Sequence, residues 1–268
     1  MPTFAHDGLT FHYRDEGAGL AFVFQHGLGG DVSQPLGLYA PAAGVRLLAM
    51  DARAHGETRP VGDLHKITLA CFADDLVALL DHLGIEKAVV GGISMGAAVA
   101  MSLALRYPER VLGLVLSRPA RIDRPLPDHV RVFTHIALHI LEHGTERGLD
   151  VFRETEEFRA IQAEAPECAA SLERQFTEPR AEECIARLER LPHDCPCHER
   201  EELAGIAVAT LVLGNRQDPV HPWELARTLS GLIPGALLAE LTPKSWSVER
   251  HAADVQEALE DFLRSRFL

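Results

Sequence analysis

The stretch that decides the fold is Val89–Ala98, with the sequence Val-Val-Gly-Gly-Ile-Ser-Met-Gly-Ala-Ala. An apolar run with β-branched residues leads into Gly-x-Ser-x-Gly, and small residues typical of a closely packed helix follow. A serine at the tip of such a sharp strand-to-helix turn has a strained backbone, so the residues two positions away must lack side chains. Gly92 and Gly96 meet this requirement. We therefore predict that Ser94 is a nucleophile rather than a structural turn serine.

The backbone near Ser94 is expected to stabilise negative charge. The N-terminus of the following helix and the N–H group of Met95 would lie beneath the hydroxyl, where an oxyanion could form. A second segment, His-Gly-Leu-Gly-Gly-Asp from position 26, follows an earlier buried strand. We predict that Leu28 supplies a second N–H group to an oxyanion hole and that Gly27 lets substrate approach the backbone. His26 is also expected beside the substrate, as a structural hydrogen-bonding residue rather than a base.

The order of the predicted elements indicates an α/β fold. Strands and helices alternate through the first 118 residues, which predicts a doubly wound, mostly parallel sheet, with Leu9–Arg14 as an edge strand. From residue 119 to 203 no strand pattern appears, and prolines separate three or four helical segments that carry 19 acidic residues and 11 arginines. We predict a helical cap over residues 119–203, inserted into a core formed by residues 1–118 and 204–268.

The composition limits the class of protein. The chain has 268 residues, 47% of them hydrophobic and 24% charged, and a net charge of −13. These values are typical of a globular domain, and the absence of a basic cluster argues against a nucleic-acid or anionic-membrane partner. The sequence shows no signal-peptide pattern and no apolar run long enough to span a membrane, and it has five scattered cysteines. We expect a cytoplasmic protein with free thiols that acts as a monomer or homodimer on a small molecule.

A serine nucleophile needs a base and an acid that orients the base. Asp218 follows the predicted strand 209–214 and would lie on the same edge of the sheet as Ser94. The chain offers only two histidines after it, His221 on the same loop and His251 near the start of the final helix. We predict His251 as the base, because it shares the inward face of that helix and because a helix N-terminus favours a neutral imidazole.

Several other residues are candidates for a role at the site. The predicted cap helix 130–142 carries Phe133, His135 and His139, which we expect to contact substrate; with His143 the two histidines form a row that could instead be a polar helix edge or a weak metal site. Trp246 is expected to contact substrate after the last strand. Cys195 and Cys197 lack the usual spacing of zinc ligands. Asp123 is a reserve for the triad acid.

Taken together, these residues resemble the α/β-hydrolase superfamily over nearly the whole chain. His26-Gly27 is similar to its oxyanion loop, Asp51-Ala52-Arg53-Ala54-His55-Gly56 to its Asp-x-Arg-Gly-His-Gly loop, and Gly92-Ile93-Ser94-Met95-Gly96 to its nucleophile turn. The order Ser94, Asp218, His251 matches the order of the family's triad. The resemblance implies a hydrolase that works through an acyl-enzyme, without cofactor or metal.

The resemblance also places the catalytic histidine near residues 244–246, where the sequence reads Lys-Ser-Trp. Either His251 takes that role or the triad lacks its base. We expect a serine hydrolase of a carboxylic ester, thioester or lactone, and the acidic cap favours a neutral or apolar substrate. The alternatives are a non-hydrolytic ligand-binding protein, and a cofactor-free lyase or carbon–carbon bond hydrolase that uses the same site.

Overall fold

The computed structural model describes residues 2–268. Eight strands form a single sheet in the order β1-β2-β4-β3-β5-β6-β7-β8. β1 and β2 pair antiparallel, as do β2 and β4, and all other neighbours pair in parallel. The predicted mostly parallel, doubly wound sheet is confirmed. The strands are β1 Thr3–His6, β2 Leu9–Gly17, β3 Leu20–Gln25, β4 Val45–Met50, β5 Ala88–Ile93, β6 Val111–Ser117, β7 Ala209–Gly214 and β8 Leu237–Glu240.

Helices cover both faces of the sheet. On one face α2, α3 and α8 pack over the strands in a large apolar cluster, and on the other face α9 and the end of α1 form a second cluster. The central strand β5 is buried along its whole length, as expected of a strand covered on both faces. The helices are α1 Ser33–Leu38, α2 Leu69–His82, α3 Met95–Arg106, α4 Arg131–Glu154, α5 Glu156–Glu164, α6 Pro166–Thr177, α7 Ala186–Arg190, α8 Trp223–Leu232 and α9 Val248–Phe267.

The segment between β6 and β7 is helical and has an apolar core of its own. Helices α4 to α7 lie in this segment, and Gly144 interrupts α4 with φ 75° and ψ 176°, a conformation that glycine adopts readily. Phe152, Phe158 and Phe176 pack together at the centre of this core. Val220, from the loop after β7, packs into the same cluster. The helical segment therefore rests directly on a loop of the sheet edge.

Two elements differ from the sequence-based expectation. The strand that begins at Leu9 was expected at the sheet edge, but β1 covers it, because Thr3–His6 pairs antiparallel with residues 9–12. The short helix α1 was not expected at all; it contains both a proline and a glycine, which weaken a helical pattern. Within residues 2–268, no helix combines the length and the apolar character that crossing a bilayer requires.

The register of the parallel strands brings three chain segments to one edge. Ile93 at the end of β5 pairs with Ser117 at the end of β6, and Ser117 pairs with Leu213 of β7. The residues that follow these strands therefore emerge side by side. They include Ser94 after β5 and Arg118 after β6, together with the loop that follows Gly214.

Candidate active site

Ser94 lies at the sharp turn between β5 and α3. Its backbone has φ 56° and ψ −107°, a strained conformation for a residue with a side chain, and its N–H donates to the Ser117 carbonyl at 2.9 Å. A Cβ atom on Gly92 would lie 2.2 Å from the Gly96 carbonyl carbon, and one on Gly96 would lie 2.3 Å from the Gln25 carbonyl oxygen. The two glycines therefore allow the close packing that holds the serine above the sheet.

A chain of hydrogen bonds connects Ser94 to His221 and Asp218. The Nε2 atom of His221 lies 2.9 Å from the Ser94 Oγ, and its Nδ1 lies 2.9 Å from the Asp218 Oδ1. The same carboxylate oxygen accepts from the backbone N–H groups of Val220 at 3.2 Å and His221 at 3.0 Å. The acid thus fixes both the histidine ring and the turn that carries it.

Arg118 contacts the acid and the histidine at once. Its Nε and Nη2 donate to the Asp218 Oδ2 at 3.0 and 2.5 Å, and its Nη2 lies 3.0 Å from the His221 Nδ1. An Nδ1 that carries a proton donates to Asp218 and leaves Nε2 free to accept from the serine. An Nδ1 without a proton accepts from Arg118 instead, and Nε2 then donates to the serine. Arg118 and Asp218 therefore favour opposite tautomers of His221.

The charges of this cluster set its ionisation. Burial would raise the pKa of Asp218, but the positive charge of Arg118 and the contact with His221 hold that pKa well below its usual value. Burial, followed by the charge of Arg118, lowers the pKa of His221 to about 4, against the opposing effect of Asp218. At neutral pH the acid is ionised and the imidazole is neutral, which is the state in which it can accept a proton.

The position of His251 corrects the sequence-based choice of base. His251 does lie on the inward face of α9, but its Nδ1–H donates to the Thr242 carbonyl at 2.8 Å, and the residue is only 1% exposed. This hydrogen bond ties its side chain to the segment that follows β8, and His251 does not contribute to the wall of the cavity at Ser94. The histidine that reaches the serine is His221. The sequence signal for this was the three-residue spacing of Asp218 and His221 within one loop at the sheet edge.

The loop after β3 lies beside the serine. Gly27 and Leu28 line the cavity, and the Gly27 N–H donates to the Gln34 Oε1 at 2.7 Å. Within residues 2–268 the Leu28 N–H has no acceptor, and Met95, the first residue of α3, has no preceding helical turn to accept its N–H. His26 is fully buried: its Nδ1–H donates to the Gly27 carbonyl at 2.8 Å and its Nε2 accepts from the Ala52 N–H at 3.0 Å. These contacts agree with the predicted structural role of His26, but His26 does not line the cavity, so the predicted contact with substrate is not supported.

Ser94 and His221 open into a cavity of about 300 Å³ between the sheet edge and helices α4 and α6. A larger depression of about 700 Å³ lies between β8 and α9 and contains neither residue, so the smaller cavity is the candidate site. Burial raises the pKa of the Cys168 thiol in its wall to about 12, so this thiol is protonated at neutral pH, whereas Ser94 contacts the His221 imidazole that can accept its proton. The other wall residues are Gly27, Leu28, Gln34, Ile93, Arg118, Phe133, Glu167, Ala170, Ser171, Leu172, Arg174, Val220, Lys244 and Val248.

Of the side chains predicted to contact substrate from the cap and from the segment after β8, only Phe133 lines this cavity. His135 pairs with Glu157 at 2.7 Å, with both side chains partly exposed, and the His139 ring lies against His143. Trp246 is 72% exposed and borders a separate surface depression. These three residues lie on the predicted elements but do not line the cavity, because the sequence does not indicate which side of a helix or loop faces Ser94.

The remaining candidates have structural partners. Asp123 accepts from the Arg200 Nε at 2.9 Å, away from the triad. All five cysteines are free, and the Cys197 thiol donates to the Ile122 carbonyl. In the part of the chain that the structure describes, no three histidine, cysteine or acidic side chains are placed to hold a metal ion. Sequence reasoning gave no role to Arg118, Arg174 or Lys244, which all line the cavity.

Comparison with known proteins agrees with this fold. A family model described as the alpha/beta hydrolase fold matches residues 21–243. The chain therefore belongs to the alpha/beta hydrolase family, and it is an enzyme of that family.

Its relatives include hydrolases that align along nearly the whole chain. A 2-hydroxymuconate semialdehyde hydrolase of Pseudomonas sp. (strain CF600) is 27% identical over 96% of this chain and 91% of its own length. The putative carbamate hydrolase RutD of Azorhizobium caulinodans is 28% identical over 98% of this chain and 97% of its own. A dihydrolipoyllysine-residue acetyltransferase component of the acetoin cleaving system of Cupriavidus necator is 39% identical over 115 residues, and the matched part spans only 30% of its length.

Among solved structures, the enol-lactonase from Burkholderia xenovorans LB400 has a TM-score of 0.77 at 26% identity, covering 98% of this chain and 100% of its own. A thermophilic esterase from Thermogutta terrifontis has a TM-score of 0.75 at 23% identity over 99% of this chain and 97% of its own, which shows the shared fold.

Proposed function

We propose that the protein is a serine hydrolase that cleaves a carboxylic ester, thioester or lactone through an acyl-enzyme. The observation that carries the proposal is the hydrogen-bonded series Ser94, His221 and Asp218, which opens into a cavity. In this proposal His221 replaces His251 as the base, while Ser94 and Asp218 keep the roles that the sequence suggested.

The first half of the reaction forms the acyl-enzyme. The Ser94 Oγ attacks the carbonyl carbon while its proton passes to the His221 Nε2, and the Nδ1–H of the resulting imidazolium donates to the ionised Asp218. The carbonyl oxygen becomes an oxyanion, which accepts from the N–H groups of Leu28 and Met95. The carbon–oxygen or carbon–sulfur bond then breaks, and His221 returns the proton to the leaving group.

The second half repeats these steps with water. His221 accepts a proton from a water molecule, which attacks the acyl carbonyl, and the proton then passes to the Ser94 Oγ as the acid is released. Each N–H donor to an oxyanion typically contributes a factor of about 10² to 10³ in rate. Lactone cleavage is supported by the similarity of the chain to the structure of an enol-lactonase over 98% of its length.

The proposal is tested by labelling with a fluorophosphonate probe, which reacts with activated serines. We expect wild type and the Ser230→Ala control to be labelled and Ser94→Ala to remain unlabelled, with hydrolysis of p-nitrophenyl butyrate lost in parallel. Ser230 serves as the control because it lies on α8, where its hydroxyl contacts the Arg227 carbonyl and no site residue. A folded wild type that neither reacts with the probe nor cleaves any ester would overturn the proposal.

A second candidate function is cleavage of a carbon–carbon bond with the same residues. It is favoured by the similarity to a 2-hydroxymuconate semialdehyde hydrolase along 96% of the chain. Loss of the absorbance of 2-hydroxymuconate semialdehyde on mixing with wild type, but not with Ser94→Ala, would support it. The non-hydrolytic alternative rested on the apparent lack of a base, and the contact between His221 and Ser94 removes that reason.

A further inference from the structure

The cavity at Ser94 has more cationic than anionic side chains in its wall. Arg118, Arg174 and Lys244 line it, and Glu167 is the one carboxylate among the described residues that does so. This charge is opposite in sign to the net charge of the whole chain, which is −13. The net charge of the cap as a whole therefore does not indicate the charge of the cavity wall that a bound substrate would contact.

Two of the three cations have no counterion. Arg118 is paired with Asp218, but within residues 2–268 neither Arg174 nor Lys244 forms an ion pair or a side-chain hydrogen bond. They belong to different elements, since Arg174 lies on α6 of the cap and Lys244 lies in the segment after β8. A bound group between them would contact both the cap and the sheet edge.

The surroundings of Lys244 show that these charges affect one another. The charge of Arg118, followed by burial, lowers the pKa of Lys244 to about 7, and Arg174 acts in the same direction. Arg118 is buried and Lys244 is partly buried, so their like charges are costly without an anion beside them, whereas Arg174 is exposed to solvent at the rim of the cavity. An anionic group in the cavity would offset this repulsion.

We propose that this cationic wall binds the carboxylate of an anionic substrate and thereby places its ester, thioester or lactone carbonyl at Ser94. The inference rests on the proposed function and adds the substrate class to it. It replaces the expectation of a neutral substrate, which came from the net charge of the cap. A carboxylate fits better than a phosphate dianion, because Glu167 in the same wall would repel the second charge.

The test compares matched esters that differ in one charge. The first pair is the p-nitrophenyl monoester of glutarate and its methyl ester, with the charge on the acyl side. The second pair is para-acetoxybenzoate and its methyl ester, with the charge on the leaving group. We expect one pair to show a preference for the anion of roughly ten- to hundredfold in kcat/KM, the range for a hydrogen bond to a charged group. The assay is run at pH 6, where Lys244 is protonated.

The variants change the wall in opposite directions. Lys244→Met and Arg174→Met should each reduce the ratio of kcat/KM for the anionic ester to that for its neutral partner, mainly through KM. Glu167→Gln should increase the same ratio. Lys87→Met and Arg227→Met remove one exposed cation each, neither of which lines the cavity, and control for the net charge of the protein.

The outcomes separate this inference from the proposed function. Equal kcat/KM for both members of each pair, or a ratio that falls as far in the Lys87→Met and Arg227→Met controls, would overturn the anion site and leave the hydrolase intact. An independent measurement uses Ser94→Ala, which has no turnover. Glutarate should raise its melting temperature, and adding Lys244→Met should abolish that rise. No rise in Ser94→Ala would also overturn the inference.

Discussion

The loops after β7 and β8 leave the same edge of the sheet from neighbouring strands, but they contribute differently to the site. The loop after β7 holds Asp218 and His221, whose side chains bond to each other and to the serine. The segment after β8 holds Lys244, which has no such partner and faces the cavity. His251 follows this segment and is bound to its Thr242 carbonyl.

The difference between the two loops shows how the acid and the base of a proposed triad can come from one loop instead of two. An acid and a base three residues apart form one turn, in which the carboxylate accepts from two backbone N–H groups as well as from the ring. Arg118, which follows β6, donates to the other oxygen of the same carboxylate, so the turn orients the imidazole with a contact from β6 and none from the segment after β8. In the proposed mechanism the segment after β8 supplies no catalytic group, and Lys244 lies where the family resemblance places the histidine.

The largest expected effect comes from exchanging the two histidines for alanine. His221→Ala should reduce kcat for p-nitrophenyl butyrate by about 10² to 10⁴, the usual contribution of a positioned base. His251→Ala should reduce it by less than about fivefold, because the His251 ring contacts the Thr242 carbonyl and neither Ser94 nor Asp218, so no interaction made in the transition state is lost. Stopped-flow bursts at pH 7.5 measure both (at about 25 °C).

Thermal melts of the two variants provide the control. His251→Ala removes a buried ring and its hydrogen bond, so a lower melting temperature is expected there, with activity measured well below it. If His251→Ala abolishes the burst and His221→Ala does not, the comparison between the two loops is reversed and His251 is the base after all.

Much of the fold and two of the three residues of the proposed triad, Ser94 and Asp218, follow from local sequence. Buried strands, the helix α2 and the strained serine between Gly92 and Gly96 each depend on residues within a few positions of one another, so pattern alone indicates them. The choice between His221 and His251 depends on how far a side chain of one loop reaches over a neighbouring strand. That distance is set by the sheet register and by packing of the cap, which no short pattern contains.

The cationic wall shows the same limit more strongly. Arg118, Arg174 and Lys244 come from the end of β6, from α6 and from the segment after β8, and no two of them are close in sequence. Charge counted along the cap gave the opposite sign. Only the three-dimensional arrangement shows which few charges face Ser94.

A smaller effect is expected on the pH dependence of kcat/KM. It tests whether Arg118 lowers the pKa of His221 against the opposite effect of Asp218. The neutral imidazole is the active form, so kcat/KM should fall as pH decreases through the pKa of His221, which is about 4. Removing the positive charge in Arg118→Gln favours the imidazolium and should move this acid limb to higher pH by about one unit.

The measurement is kcat/KM for a neutral ester across the acid range, with folding checked by circular dichroism at each pH. Arg216→Gln, which removes a surface partner of Glu240, is the matched control. An acid limb that stays in place in Arg118→Gln, or that shifts equally in the control, would show that the Arg118 charge does not act on the histidine.

The smallest effect concerns the segment after β8 as a structural element. Ser247 caps α9, and its Oγ accepts from the Arg250 N–H at 3.0 Å. Ser247→Ala should lower the free energy of unfolding by about 1 kcal/mol, as for other N-caps. Urea titrations of this variant and of Ser265→Ala, at the other end of α9, measure the difference. This segment carries Lys244 but no catalytic group. Ser247→Ala should therefore weaken the preference for the anionic ester in kcat/KM, while the labelling of Ser94 stays at the wild-type level. If the fully folded Ser247→Ala variant is no longer labelled, the segment after β8 takes part in positioning the proposed triad.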